Sequence, residues 1–242
     1  MDVSDPDSDR RPSRAPAPLR AVAALLLALG LLGCDGEPSS AQEGDGEAVV
    51  PSDRSTIVER ADRARAKGDS ARPLTIIEIS DFECPFCRQY YQETYRAVDS
   101  LYVETGKARY IFVVYPNSSH PRAMPAAEAA YCAGAAGLFW PMHDRLFENQ
   151  QEWTEAEDPM ETFVGYATDL GIDEASFRRC LRRDLASQLQ VRDLEQVARA
   201  RLSSTPFFII NNETGIQGAR PLERFRTVLD SVLEATGDGS GQ

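Results

Sequence analysis

A basic surface, a second pair of closely spaced cysteines and more than a couple of histidines are all missing from this 242-residue chain. Each absence removes a class of function. With 38 acidic against 26 basic residues the formal net charge is −12, so phosphates find no counter-surface and nucleic acid is excluded as a partner. The histidines number two, and zinc commonly draws its four ligands from paired cysteines or paired histidines. Beyond Cys84 and Cys87 such a site would have only Cys132, Cys180, His120 and His143, which are scattered along the sequence. No metal and no other cofactor is expected. Neither histidine reads as a ligand, and His143, among the aromatics of 139–147, reads as helix packing. No internal repeats are found, and the 42% apolar content is ample for a folded core.

Part of the acidity is local. Asp35, Glu37, Glu43, Asp45, Glu47 and Asp53 all precede Arg54, among glycines, serines and prolines. Residues 34–54 therefore read as a disordered acidic linker. Ahead of it, Arg10, Arg11, Arg14 and Arg20 form a basic leader to the apolar run 21–32, about 12 residues and too short to span a bilayer. The run ends Leu31-Leu32-Gly33-Cys34, which resembles the lipobox of bacterial lipoproteins. On that reading 1–33 is a signal peptide and Cys34 becomes a lipid anchor in the cell envelope. The alternatives are an ordinary cleaved signal with a chance cysteine, or an uncleaved anchor. Setting Cys34 aside leaves an even set of four cysteines, as suits an oxidising compartment.

From residue 74 the pattern becomes structural. The run 74–79 is nearly all apolar and predicts a strand covered on both faces. A helix follows from Pro85 to about Glu104, then a second strand over 108–115. Residues 55–67 predict a short lead-in helix. Helical periodicity occupies 121–202, with breaks near 134–137, 155–159 and Gly171. Strands at 207–210 and 215–217 follow, and Pro221 opens a closing helix to about Ala235. The order β-α-β, helical block, β-β-α is that of an α/β thioredoxin-like fold with an inserted all-helical domain. The expected segments are 55–120 and 203–236 for the thioredoxin-like domain, 121–202 for the insertion and 237–242 for a disordered tail.

Cys84-Pro85-Phe86-Cys87 stands where the first strand hands over to its helix. There the first sulfur meets the unpaired N–H groups and positive end of the helix, which favour the thiolate. The second lies one turn inside, close enough to bond the first. Cys84 is therefore expected to be the attacking, solvent-facing thiol, and Cys87 the buried resolving one. Phe86 cannot donate to sulfur as a histidine would, so a less extreme potential is expected. Glu78 is an acid inside an apolar strand, expensive to bury without a task. It is either a proton carrier for Cys87 with a raised pKa, or a solvent-facing or salt-bridged edge residue. Cys132 and Cys180 either pair, as an oxidising compartment favours, or stay as two buried thiols.

Asp81-Phe82-Glu83-Cys84-Pro85-Phe86-Cys87, the stretch Ala126-Ala127-Glu128-Ala129-Ala130-Tyr131-Cys132-Ala133, the segment 139–147 and Thr205-Pro206-Phe207-Phe208-Ile209 together resemble the DsbA-like family of thioredoxin-fold proteins. The resemblance covers about 74–233. It implies a redox-active Cys84–Cys87 pair, a cis-proline at Pro206 whose neighbour Thr205 meets an extended substrate, and Glu78 as the acidic strand residue. It also implies disulfide exchange with cysteine-bearing client proteins of the bacterial envelope, served by a membrane or soluble redox partner. Oxidation of clients is the favoured direction, with reduction or isomerisation at the same site as the alternative. A monomer is expected. The competing class is a binding module whose cysteine pair is only structural.

Overall fold

The computed structural model describes residues 46–238. The expected signal peptide, the lipidation site Cys34 and the first part of the linker lie outside the described residues. Among the described residues, no helix is long and apolar enough to cross a membrane.

Helix α1 (Arg54–Ala64) starts where Asp53 accepts the Thr56 N–H at 2.8 Å, a side-chain cap for an otherwise unpaired donor. After it come β1 (Ala66–Lys67) and β2 (Leu74–Ser80). Gly68 links them at φ +81°, where a Cβ would sit 2.5 Å from the Ala108 carbonyl oxygen, so only glycine fits. A long helical rod follows, made of α2 (Pro85–Tyr90), a π-helical stretch Tyr91–Tyr95, α3 (Arg96–Val98) and a second π-helical stretch Asp99–Val103. Next is β3 (Ala108–Val114). The helical block holds α4 (Ala123–Ala135), α5 (Phe139–Glu148), α6 (Gln150–Glu155), α7 (Pro159–Asp169), α8 (Glu174–Arg182) and α9 (Ser187–Arg199). Strands β4 (Phe207–Ile210) and β5 (Thr214–Gln217) and helix α10 (Leu222–Asp238) complete the chain.

The five strands lie in the order β1-β3-β2-β4-β5, with β2 and β3 parallel and the other pairs antiparallel. Register puts Glu78 beside Phe112 of β3 and Phe208 of β4. Successive strand residues point to opposite faces. The face carrying Leu74, Ile76 and Glu78 is fully buried with Tyr110, Phe112 and Phe208, against an aromatic core that includes Tyr90, Phe147 and Phe225. The expectation of a strand covered on both faces is corrected on the other side. There Ile79, Val113 and Val197 are buried, while Ile77, Ile111 and Ile209 are only half-buried, because α9 covers part of that face.

Two further expectations are corrected at the ends. Within 48–54, Ala48 and Val50 are fastened to the helical block and Arg54 opens α1, rather than forming a disordered linker. Ala48 pairs with Ile172, the Val50 N–H donates to Ser176 Oγ at 3.1 Å, and the Val50 side chain is buried. One apolar side chain and four hydrogen bonds between the Ala48 and Val50 backbone and the helical block fasten this short stretch. At the other end α10 takes in Gly237 and Asp238, two residues of the expected tail.

Inside the helical block α4 is buried on nearly all sides by small residues, which lets α1 approach it closely. Arg65 donates to Asp193 Oδ2 at 2.6 Å, both side chains almost fully buried, and the Tyr131 hydroxyl shares the same carboxylate. This ties the end of α1 to α4 and α9. Cys132 of α4 and Cys180 of α8 are disulfide-bonded across a sequence separation of 48. In the chain-entropy view, closing a loop of that length contributes about 4 kcal/mol. The Cys132→Ala/Cys180→Ala double variant should therefore unfold at clearly lower denaturant, by about 4 kcal/mol in urea melts. An unchanged midpoint would remove the disulfide from the stabilising framework.

Candidate active site at the start of helix α2

Strand β2 ends at Ser80, and the chain turns through Asp81, Phe82 and Glu83 into the helix. Asp81 makes this turn. Its Oδ1 accepts the Glu83 N–H at 2.8 Å, and its carbonyl accepts the Cys84 N–H at 3.1 Å. Such side-chain-to-backbone closure is what aspartate does well in turns. Cys84 is the residue before the helix, with extended φ −70° and ψ 124°, and Pro85 takes the first helical position, where its missing N–H is no loss. Gln150 of α6 donates to the carbonyls of Phe82 (2.6 Å) and Cys84 (3.1 Å), so the helical block holds the turn from outside.

The two thiols are free and unlike. Cys84 Sγ faces the Thr205 carbonyl oxygen at 3.8 Å. The sulfhydryl of Cys87, then its own burial in the opposite sense, then the Thr205 side chain and the N–H groups of Cys87 and Phe86 set its acidity, and the net result is a pKa lowered to about 6. Burial and then the neighbouring Cys84 push Cys87 well up. At neutral pH the pair is thus a Cys84 thiolate beside a Cys87 thiol. Cys84 is not the solvent-facing group expected from sequence, being only 5% exposed. The Thr205-Pro206 loop covers its sulfur, and Phe86 is the exposed residue, at 61%.

The Thr205-Pro206 peptide bond is cis. Beside it Phe86, Gln89, Ser204, Thr205, Gln217 and Gly218 line an open groove of about 490 Å³.

Glu78 lies on the inner face of β2, 1% exposed, and is not an edge residue. The Tyr110 hydroxyl donates to its Oε2 at 2.5 Å, and the Tyr110 and Tyr90 hydroxyls are 3.2 Å apart. Burial dominates over these contacts and raises its pKa to about 7. Ser80 stands two residues further on the same face. Its buried hydroxyl has no well-aligned partner, yet it favours the ionised forms of both Glu78 and Cys87.

Three participants were missed in the sequence. Ser80 and Asp81 adjoin the motif, but their side chains gave no signal of the contacts they make. His120 was assigned no role, and its Nδ1 lies 2.6 Å from Asp81 Oδ2. His143 is packed among rings, with the Phe112 ring centroid 4.9 Å away. For a metal, the described residues bring together Glu128, Cys132 and Cys180. Both sulfurs there are spent in the disulfide, so that cluster does not fit an ion.

A family model described as thioredoxin matches residues 61–231, and the chain belongs to the thioredoxin family. Its inserted helical block gives it the DsbA-like form of that fold. The crystal structure of alpha-DsbA1 from Wolbachia pipientis superposes with a TM-score of 0.63 at 20% identity, over 71% of this chain and 92% of that one. A Rickettsia conorii protein with a protein-disulfide oxidoreductase name is 25% identical over 169 residues, 69% of this chain and 59% of its own. A Salinispora arenicola protein named Na(+)/H(+) antiporter NhaA 1 is 32% identical over 176 residues, 72% of this chain and 26% of its own. The chain thus spans about a quarter of the length of the antiporter-named relatives it matches.

The buried Glu78 gives the site a pH signature. Between about pH 4.5 and 7 the folded chain keeps this proton while the unfolded chain has released it. Stability is therefore lost as the pH rises through that window. Glu78→Gln keeps an acceptor for Tyr110 and removes the loss. Relative to the parent, it should gain stability from pH 5 to pH 8, on the order of 3 kcal/mol at the upper end. Urea melts at the two pH values read this, and a pH-independent difference would contradict it.

Proposed function

We propose that this chain is a thiol–disulfide oxidoreductase of the bacterial cell envelope that oxidises cysteine-bearing client proteins. The observation that carries the reading is the divided acidity of two thiols one helical turn apart, Cys84 lowered and Cys87 raised, with the Thr205 carbonyl against the reactive sulfur. A structural pair has no use for such a division, whereas exchange chemistry depends on it.

In the forward direction a client thiolate attacks Cys84 Sγ of the Cys84–Cys87 disulfide. A client–Cys84 bond forms, the Cys84–Cys87 bond breaks, and Cys87 leaves with the electron pair and takes up a proton. The second client thiolate then attacks the client sulfur and expels Cys84 as its thiolate. Two electrons have passed from the client dithiol to the pair. A membrane or soluble redox partner must take them away to restore the disulfide. The low pKa of Cys84 makes it a good leaving group in the second step. Glu78, with a pKa near neutrality, suits proton transfer toward Cys87 through the Ser80 side of the strand.

Clients would lie in the groove between Phe86 and Thr205, in extended form along the backbone before Pro206. Tethering through a lipid on Cys34 would hold the domain at the membrane face. The N-terminal pattern that resembles a lipoprotein signal supports this placement.

The full chain with Cys87→Ala should accumulate thiol-reversible adducts with reduced, unfolded test protein in the presence of oxidised glutathione. These should vanish in the Cys84→Ser/Cys87→Ala double variant. Cys84→Ser alone should lower client oxidation to the uncatalysed rate. Absence of adducts together with undiminished function of Cys84→Ser would leave only a binding module.

A further inference from the structure

Phe86 puts no side-chain donor between the two cysteines, but the loop after β3 brings a histidine to the active-site turn. The loop after β3 is fastened to the active-site turn at several points. The Tyr115 N–H donates to the Ser80 carbonyl at 2.7 Å, the Asn117 N–H to Asp81 Oδ2 at 2.8 Å, and the Arg122 N–H to Glu83 Oε2 at 2.7 Å. The turn within the loop is closed by the His120 N–H to the Asn117 carbonyl at 2.9 Å. This brings His120 Nδ1 to 2.6 Å from Asp81 Oδ2.

Asp81 is fully buried while the imidazole keeps 21% of its side-chain surface. As Asp81 accepts, Nδ1 carries a proton, and Nε2 is the position where the second is gained or lost. Asp81 touches the Cys87 thiol and the Cys84 backbone through its own main chain. Its N–H donates to Cys87 Sγ at 3.5 Å, and its carbonyl accepts the Cys84 N–H. Thus one residue joins His120 to the dithiol.

We propose that His120, held by Asp81, is the positioning residue that supplies positive charge to the Cys84 thiolate, in place of a donor between the two cysteines. This rests on the oxidoreductase reading and deepens it. Positive charge that reaches the thiolate from His120 stabilises the reduced form over the disulfide, so it makes the pair a stronger oxidant. The ionisable groups facing His120 come from two elements, the turn (Asp81, Glu83) and the start of α2 (Cys84). Partial burial works against the charge on His120, but Asp81, the Cys84 thiolate and Glu83 outweigh it and hold the imidazole above its ordinary value. The guanidinium of Arg122, the nearby cation of the loop, is turned away to the Ala156 carbonyl. As pH rises and His120 loses its proton, the oxidising strength contributed by the ion pair falls away.

His120→Gln in the reduced full chain tests this by thiolate absorbance against pH and by equilibrium with glutathione. The Cys84 midpoint should rise by about half to one pH unit, and the glutathione equilibrium should move about three- to tenfold toward the disulfide form. His120→Arg should restore both.

A second measurement needs no variant. Coupling is reciprocal, so the proton NMR titration of His120 in the parent should fall by about the same amount when Cys84 and Cys87 are oxidised. With two histidines in the chain, and His143 buried, assignment is direct. A parent Cys84 that titrates as an ordinary thiol overturns the oxidoreductase reading itself. A low Cys84 midpoint that neither His120→Gln moves nor the His120 titration senses overturns this inference alone.

Discussion

Negative charge on Cys84 is the quantity around which the site is arranged. A thiolate at the edge of a protein core is costly unless donors are aimed at it. Here they come from Cys87 inside the first turn and from the N–H groups of Phe86 and Cys87 at the helix start. The same arrangement keeps Cys87 neutral, because its fully buried sulfur faces an anion. Charge on one sulfur and a proton on the other are two sides of a single interaction.

The rest of the fold holds this arrangement still. Pairing of β2 between β3 and β4 fixes where β2 ends, hence where the helix begins. Gln150 anchors the turn from the helical block, and the loop before α4 anchors it through Asp81 and Glu83. The Cys132–Cys180 bond and the buried Arg65–Asp193–Tyr131 contact keep the block itself together. Among the described residues, Glu78 is the one carboxyl on the inner sheet face, its pKa raised to about 7 by burial against the opposing hydrogen bond from Tyr110.

Local features were readable in the sequence and long-range ones were not. The strand-to-helix setting of Cys84-Pro85-Phe86-Cys87, the order of strands around a helical block and the strand after Pro206 follow from short patterns of apolar residues, proline and cysteine. Glu78 could be read as costly but not as buried, since register decides which face it takes. The pairing of Cys132 with Cys180 was one of two open readings, because spacing does not determine connectivity. His120 was passed over because it lies 39 residues from Asp81 in sequence, and only the return of β3 alongside β2 brings them together. Likewise Cys84 was expected to face solvent because a helix start is normally open, whereas the Thr205-Pro206 loop that covers it arrives from more than a hundred residues away. Strand β1 was absorbed into the expected lead-in helix, as two residues are too few to carry a pattern. Val50 was hidden in a stretch whose composition is that of a linker.

The most direct test of the central claim is the ultraviolet thiolate titration of the reduced full chain, with Cys84→Ser as the reference. The account predicts a Cys84 midpoint at about pH 6, with Cys87 ionising well above the ordinary thiol range. A Cys84 midpoint at about 8.5, as for an unperturbed cysteine, would contradict it.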